Sequence, residues 1–404
     1  MKNLIVASLM LLSATSCGKT NKEGTDEITK YPPVETNPPN TNYSPAFTGQ
    51  TRTFGIRTKA KLTFNILNQN LQSPWGLAQL PNNNWLITQK SGTMVILDEN
   101  GTLKTTITGL PALNNQGQGG LLDVQLDPDF NTNRMVFWTF AEPSADGNRT
   151  AVAKGRLNEQ ETAIENIAVI YRAGPGYNGT LHYGGRIAFD NLGNIFLSTG
   201  ERSDMVTRPL AQEKSTALGK ILRITKDGQP AAGNPFNASG ELAEIFTYGH
   251  RNPQGLAFDV QTNTLWQTEF GPKGGDEINK IEIGRNYGWP VITYGLEYSG
   301  ATIGEGITQK EGMEQPIYYW DPVISPSGMI LYNKDYHAEW KGNLLIACLS
   351  GQHIARIRLV NGKVEGEERL LEEEAQRFRA IAAGNDGKVY AVTDQGRFYQ
   401  IGKE

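Results

Sequence analysis

Six times between Trp75 and the C-terminus the chain repeats one pattern: an alternating apolar strand, a polar turn, and a second apolar strand. The copies are WGLAQLPNNNWLITQ from Trp75, LLDVQLDPDFNTNRMVFWTF from Leu121, GRIAFDNLGNIFLSTGE from Gly185, GLAFDVQTNTLWQTEFG from Gly255, GMILYNKDYHAEWKGNLLIACLSG from Gly328 and RAIAAGNDGKVYAVTDQG from Arg379. Successive side chains of a strand point to opposite faces, and Asn, Asp and Gly tolerate turn backbones, so this is the pattern of antiparallel hairpins. Several copies run on into further strands, such as GTMVILDE, HIARIRLVN and GRFYQIG. Units of roughly 45 to 75 residues, each able to supply four strands, predict an all-β six-bladed β-propeller with four-stranded antiparallel blades. A long sandwich or two stacked barrels could also use hairpins. Neither explains why the loop after the second strand carries unusual polar residues in unit after unit, whereas in a propeller those loops gather at one mouth of the channel. The last strand is expected to share a blade with residues near the start of the fold, closing the ring and removing an open edge.

The propeller is assigned to residues 54–404, behind two segments of different character. Residues 1–17, MKNLIVASLMLLSATSC, set Lys2 before an apolar run from Leu4 to Leu12 and end in small residues at Cys17. That is an export signal, too short to span a membrane as a mature helix. Cys17 after Ala14, Thr15 and Ser16 resembles a bacterial lipoprotein processing site, although Ala14 stands where a leucine is usual; an ordinary secretory signal is the alternative. The chain is therefore expected on the periplasmic side of a bacterial membrane, touching it only through a lipid anchor at Cys17. Residues 18–53, rich in Asn, Thr, Pro and Lys, read as a disordered tether, since so few apolar groups cannot offset the entropy of ordering. Cys348 is then the one cysteine of the folded body, which excludes an internal disulfide despite export. A net charge of -4 gives no reason to expect nucleic acid.

Polar residues cluster in the loops. His182, in TLHYGGRIAF, sits among small residues at a strand entrance, and Glu201 follows the paired strand, so a tight hairpin would bring the carboxylate to the imidazole and raise its basicity. Arg251 and Asn252 in YGHRNPQG precede Pro253, which biases Asn252 to an extended backbone, and the arginine offers a planar fork of donors for carboxylates or a developing oxyanion. In EFGPKGGDEIN, Gly271 and Pro272 could expose carbonyls while Asp276 and Glu277 add carboxylates, all oxygen donors of the kind calcium takes. Arg377 and Arg379 alternate and so share a face of an extended strand, which implies a polyanion or a carboxylate partner. Gln118, in GQGGLL, is another polar group at the mouth. Structural readings stand beside these: a satisfied histidine, a turn carboxylate, a surface ion pair, a solvated edge. No Walker loop, CxxC pair, HExxH or GxSxG occurs, which removes P-loop phosphoryl transfer, thiol redox chemistry and the commonest hydrolases.

Taken in order, GQGGLLDVQLDPDF, HYGGR, GKILRIT around Lys220, YGHRNPQG, GPKGGDEIN, NYGWP and RFR resemble the soluble pyrroloquinoline quinone (PQQ) dependent aldose sugar dehydrogenases of the glucose/sorbosone dehydrogenase family, over about Leu71 to the C-terminus. The resemblance implies a six-bladed propeller holding PQQ and calcium, with an aldose as substrate, an external electron acceptor, and a monomeric or homodimeric chain. It implies that His182 takes the proton from the sugar C1 hydroxyl, that hydride passes to C5 of PQQ, and that Arg251 stabilises the C5 oxygen. Glu201 occupies the place of the acidic partner of the base. Gln118 and Asn252 match cofactor contacts, and Arg377 and Arg379 match the pair that grips the cofactor carboxylates. Gly271 and Pro272 match the calcium ligands under the quinone, and Glu277 with the Tyr287 region matches a second calcium site. Trp320 falls where the family has an aromatic near the sugar. One departure stands out: Ser350 takes the place of a lysine that reaches PQQ, which implies either weaker PQQ binding or substitution by His353 or another basic residue. A glycan- or protein-binding propeller without catalysis is the main rival, and a calcium-dependent lactonase would need carboxylates lining the channel.

Overall fold

The computed structural model describes residues 29–404, so the export segment, Cys17 and the first part of the tether lie outside the described residues. Each repeated hairpin becomes the first two strands of a four-stranded antiparallel sheet, and there are six such sheets. The first blade is Pro74–Gln79, Trp85–Gln89, Thr93–Leu97 and Leu103–Ile107; the second is Leu121–Leu126, Met135–Ser144, Gly147–Leu157 and Ile164–Arg172. The third is Ile187–Phe189, Ile195–Thr199, Lys220–Ile224 and Ile245–Tyr248, and the fourth Pro253–Asp259, Thr264–Glu269, Asp276–Ile281 and Tyr318–Trp320. Pro326–Tyr332, Asn343–Cys348, Ile354–Val360 and Lys363–Leu370 form the fifth. The sixth takes Phe378–Ala383, Val389–Thr393 and Phe398–Lys403, then Leu62–Asn68 as its outer strand, with Leu62 opposite Lys403 and Phe64 opposite Ile401. The first strand of each blade touches the first strands of both neighbours, which closes the ring around a central channel.

Blades stack face to face, so an inner strand buries both faces and alternation distributes its side chains between two interfaces. Along Asn343–Cys348, Leu344, Ile346 and Cys348 pack with Trp266 and Ile278 of the fourth blade. Leu345 and Ala347 pack with Phe378, Val389 and Ala391 of the sixth. Each of the leucine, isoleucine and phenylalanine side chains among these, fully buried, contributes about 1.5–3 kcal/mol. Cys348 is a free, buried thiol held protonated by its burial. Between the second and third blades, the Arg186 guanidinium donates through Nη1 to Asp123 Oδ1 at 2.8 Å and lies 4.2 Å over the Trp75 ring of the first.

From Tyr31 to Thr53 the chain departs from the expected tether, because its polar side chains find partners on the fourth and fifth blades. Asp321 accepts hydrogen bonds from the amide and side chain of both Asn40 (2.8 and 3.0 Å) and Thr41 (2.9 and 2.8 Å). Glu35 pairs with Arg369 at 2.7 Å, and the Tyr319 amide donates to the Gln50 carbonyl. The segment is a strap without a core of its own. Among the described residues no helix is long and apolar enough to cross a membrane.

Candidate active site

The loops after the second strands and before the first strands meet at one mouth of the ring, around a cavity of about 570 Å³. His182, Gln118, Arg251, Gly271, Pro272, Arg377 and Arg379 all line it. The sequence therefore brings together residues from the second, third, fourth and sixth units.

His182 is buried in the loop before Ile187–Phe189, with a left-handed backbone (φ 46) that costs a non-glycine residue on the order of 1–3 kcal/mol. Its surroundings hold it there: its amide donates to Gln118 Oε1 at 2.8 Å, and Gly200 fits beneath it because a Cβ would stand 2.2 Å from the His182 carbonyl oxygen. Nδ1 lies 2.7 Å from Glu201 Oε1, while Glu201 Oε2 accepts from the Ser203 amide at 3.0 Å. A carboxylate only accepts, so Nδ1 carries the proton and Nε2 keeps its lone pair toward the cavity. Burial first, and the Arg251 charge second, lower the imidazole pKa to about 4 against the upward pull of Glu201. At neutral pH His182 is thus an unprotonated acceptor backed by an anion.

Arg251 enters from the next blade. Its amide donates to Glu269 Oε2 at 2.6 Å, Nη1 donates to the carbonyls of Phe270 (3.1 Å) and Gly271 (2.7 Å), and the guanidinium lies 5.2 Å over Trp289. Nε is buried without a partner. The loop it grips is fastened from below by Asp276, which accepts from the amides of Gly271 (2.7 Å), Ile324 (2.7 Å) and Ser325 (2.6 Å), and whose burial pushes its pKa up to about 7. Asn252 does not line the cavity; it lies behind the wall, where Oδ1 accepts from the Gly184 amide at 3.0 Å and Nδ2 is a buried donor without an acceptor. Arg377 and Arg379 share one carboxylate, Asp394: Arg377 Nε donates to Oδ2 at 3.0 Å and Arg379 Nε to Oδ1 at 2.8 Å.

The glucose/sorbosone dehydrogenase family model matches residues 71–400. This chain belongs to that family. It is 38% identical over 340 residues to the aldose sugar dehydrogenase YliI of Escherichia coli strain K12, covering 83% of this chain and 91% of that one. The crystal structure of the soluble aldose sugar dehydrogenase from E. coli in the apo form superposes with a TM-score of 0.81 at 37% identity, covering 85% of this chain and all of that one. The PQQ-bound form of aldose sugar dehydrogenase from Streptomyces coelicolor superposes at 0.71 and 31% identity, over 86% of this chain and all of that one.

Within this glucose/sorbosone dehydrogenase fold, several residues sit away from the cavity. Trp320 is core: it is buried, donates to Glu367 at 3.2 Å and stands edge-on to Tyr318, so it does not reach a sugar at the mouth. Ser350 is exposed and shares a 2.7 Å hydrogen bond with Ser325. His353 is no substitute cation, because burial lowers its pKa to about 3 and Nδ1 donates to the Gly351 carbonyl. Glu277 faces Glu269 across the fourth blade, and burial and that neighbour hold it well above the usual carboxylate range. The Tyr287 hydroxyl donates to the Lys280 carbonyl at 2.7 Å, so only its main-chain carbonyl is free for an ion. Among the described residues no three His, Cys, Asp or Glu side chains converge on a common point, leaving carbonyls as the main candidate ligands. Residues that the motif reading passed over also line the cavity, namely Lys90, Trp75, Gln254, Tyr298 and Asp394. Lys90 and Asp394 follow the second strands of their units, the position already marked as polar, and that signal could have found them.

Proposed function

We propose that this enzyme oxidises the C1 hydroxyl of aldose sugars to lactones, with PQQ and calcium as its resident cofactors and an external electron acceptor, on the periplasmic side of a membrane to which Cys17 anchors it. The observation that carries the reading is the His182–Glu201 pair, 2.7 Å apart, on the wall of a cationic cavity. PQQ when bound supplies an acceptor for the hydride leaving the sugar carbon.

The residues fit both cofactors. Arg251, which lines the cavity, has a buried Nε in want of an acceptor, and Arg377 and Arg379 offer guanidinium forks to carboxylates. The Gly271 and Pro272 carbonyls are hard oxygen donors for calcium, and the Pro272 carbonyl accepts no hydrogen bond from the described residues. Glu277 and the Tyr287 carbonyl suit a second calcium, whose charge would relieve the repulsion between Glu277 and Glu269.

In this reading His182 Nε2 accepts the C1 hydroxyl proton, and Glu201 balances the imidazolium that forms. Arg251, on the cavity wall, would hold the cofactor there and stabilise negative charge beside its guanidinium, a contribution that usually outweighs other single effects. Gln118 holds the His182 backbone while itself lining the cavity. The test is spectroscopic: chain, PQQ and calcium are mixed, an aldose is added, and the quinone absorbance is followed. Reduction is expected, and His182→Ala should slow it by a factor of about a hundred or more while still binding PQQ. An aldose panel that leaves the quinone oxidised would overturn the proposal.

A further inference from the structure

One wall of the cavity carries three cations, Lys90, Arg377 and Arg379, and one carboxylate, Asp394. Asp394 is spent on the two arginines. Among the described residues no carboxylate pairs with Lys90, whose ammonium donates to the Gly117 carbonyl alone. An ammonium has three donors, so two remain for a ligand in the cavity.

The backbone of Lys90 is fixed. Its amide donates to the Ser73 carbonyl at 3.1 Å and its carbonyl accepts from the Leu121 amide at 3.2 Å, which stitches the first blade to the second. A Cβ on Gly120 would stand 2.4 Å from that carbonyl oxygen, so the crossing is too tight for any larger residue. Burial and the Arg379 charge lower the Lys90 pKa from its ordinary value. Arg379 in turn lies 5.9 Å over the Trp75 ring, whose cation partner toward the channel is Arg186. Cations gathered this closely repel one another and are stable together when an anion joins them.

We propose that Lys90 is the third cation of an anion cradle with Arg377 and Arg379, binding a carboxylate of the cofactor and supplying the positive charge that Ser350 does not. The assignment rests on the PQQ reading above. It gives the first blade a direct part in cofactor binding, and it needs only the two ammonium donors that point away from Gly117.

The test is a binding titration, independent of turnover: quenching of tryptophan fluorescence as PQQ is added to the full chain in calcium buffer. Lys90→Met keeps the aliphatic stem and removes the charge. The expected result is a dissociation constant about tenfold to a hundredfold higher, the range for a lost charge-assisted hydrogen bond. The difference from the natural chain should shrink as salt is raised, because screening weakens what remains of the ion pair. Lys90→Arg should bind within a few-fold of the natural chain. Equal affinity of Lys90→Met and the natural chain would overturn the role of Lys90 and leave the PQQ reading standing. A loss that is the same at every ionic strength and is not rescued by Lys90→Arg would assign Lys90 to holding the Gly117 loop, and would overturn it too. Failure of the natural chain to bind PQQ would bring down both readings together.

Discussion

Replacing Glu201 by Gln exchanges one oxygen for an amide NH2 in a place where both neighbours are donors. The His182 Nδ1 proton points at Oε1 and the Ser203 amide at Oε2. A glutamine can satisfy one of them. If its oxygen stays on Nδ1, the imidazole keeps its tautomer but the imidazolium formed during proton transfer loses its anion. The charge-assisted bond is worth about 1.5–3 kcal/mol, which predicts a roughly 10- to 150-fold fall in kcat. If the NH2 turns to Nδ1 instead, that nitrogen becomes the acceptor, Nε2 is protonated, and the base is lost altogether. The pH profile separates this from a general loosening of the loop. His182 works unprotonated, so activity falls as pH drops through its pKa of about 4. Glu201 raises that pKa, so Glu201→Gln should move the acid limb of kcat/KM to still lower pH while depressing the plateau. The assay is dye-linked oxidation of an aldose by the reconstituted enzyme from pH 3 to 8. A plateau within twofold of the natural enzyme, or an acid limb displaced upward, would refute the roles given to both residues.

Two further predictions concern the scaffold. Asp123→Ala leaves the buried Arg186 guanidinium without its anion, and Nη2 already lacks a partner, so unfolding in urea should show a loss of about 3–5 kcal/mol; a loss under 1 kcal/mol would mean that the pair is not desolvated as described. Asp321→Ala removes the acceptor of four hydrogen bonds from Asn40 and Thr41. At about 1 kcal/mol each, opening of the strap becomes easier by more than a hundredfold, and proteolysis between Tyr31 and Thr53 should accelerate with it, whereas an unchanged cleavage pattern would show that Glu35 and Gln50 suffice.

The fold was legible because propeller strands obey local rules. The alternation in GLAFDVQTNTLWQTEF needs no distant information, and its turn carries its own Asn and Thr residues. His182 and Glu201 were legible for the same reason, since one hairpin brings them together. Contacts between units were not. Lys90 reaches the wall of Arg377 and Arg379 from the first blade, at the opposite end of the sequence, whereas Asp394 meets both arginines within the sixth hairpin. Trp320 and Asn252 matched positions in a family pattern, but where a side chain points depends on neighbours from other blades; Trp320 turned to Glu367 and Asn252 to Gly184. The strap misled for a different reason. A segment poor in apolar residues was expected to stay free, yet Asp321 and Arg369 supply charged partners that composition alone does not reveal.

The outer strand of the sixth blade joins the two ends of the fold: Leu62 pairs with Lys403, and the Glu404 amide donates to the Lys61 carbonyl at 3.0 Å. These partners are separated by nearly the whole propeller, so their contact has the largest loop of the fold to close. The same blade carries Arg377, Arg379 and Asp394. A chain cut before Phe398–Lys403 therefore lacks both the seal of the ring and the strand that backs the cationic wall. The seam and the cationic wall are thus two edges of one sheet, and whatever loosens Leu62–Asn68 from Phe398–Lys403 also loosens the backing of Arg377, Arg379 and Asp394.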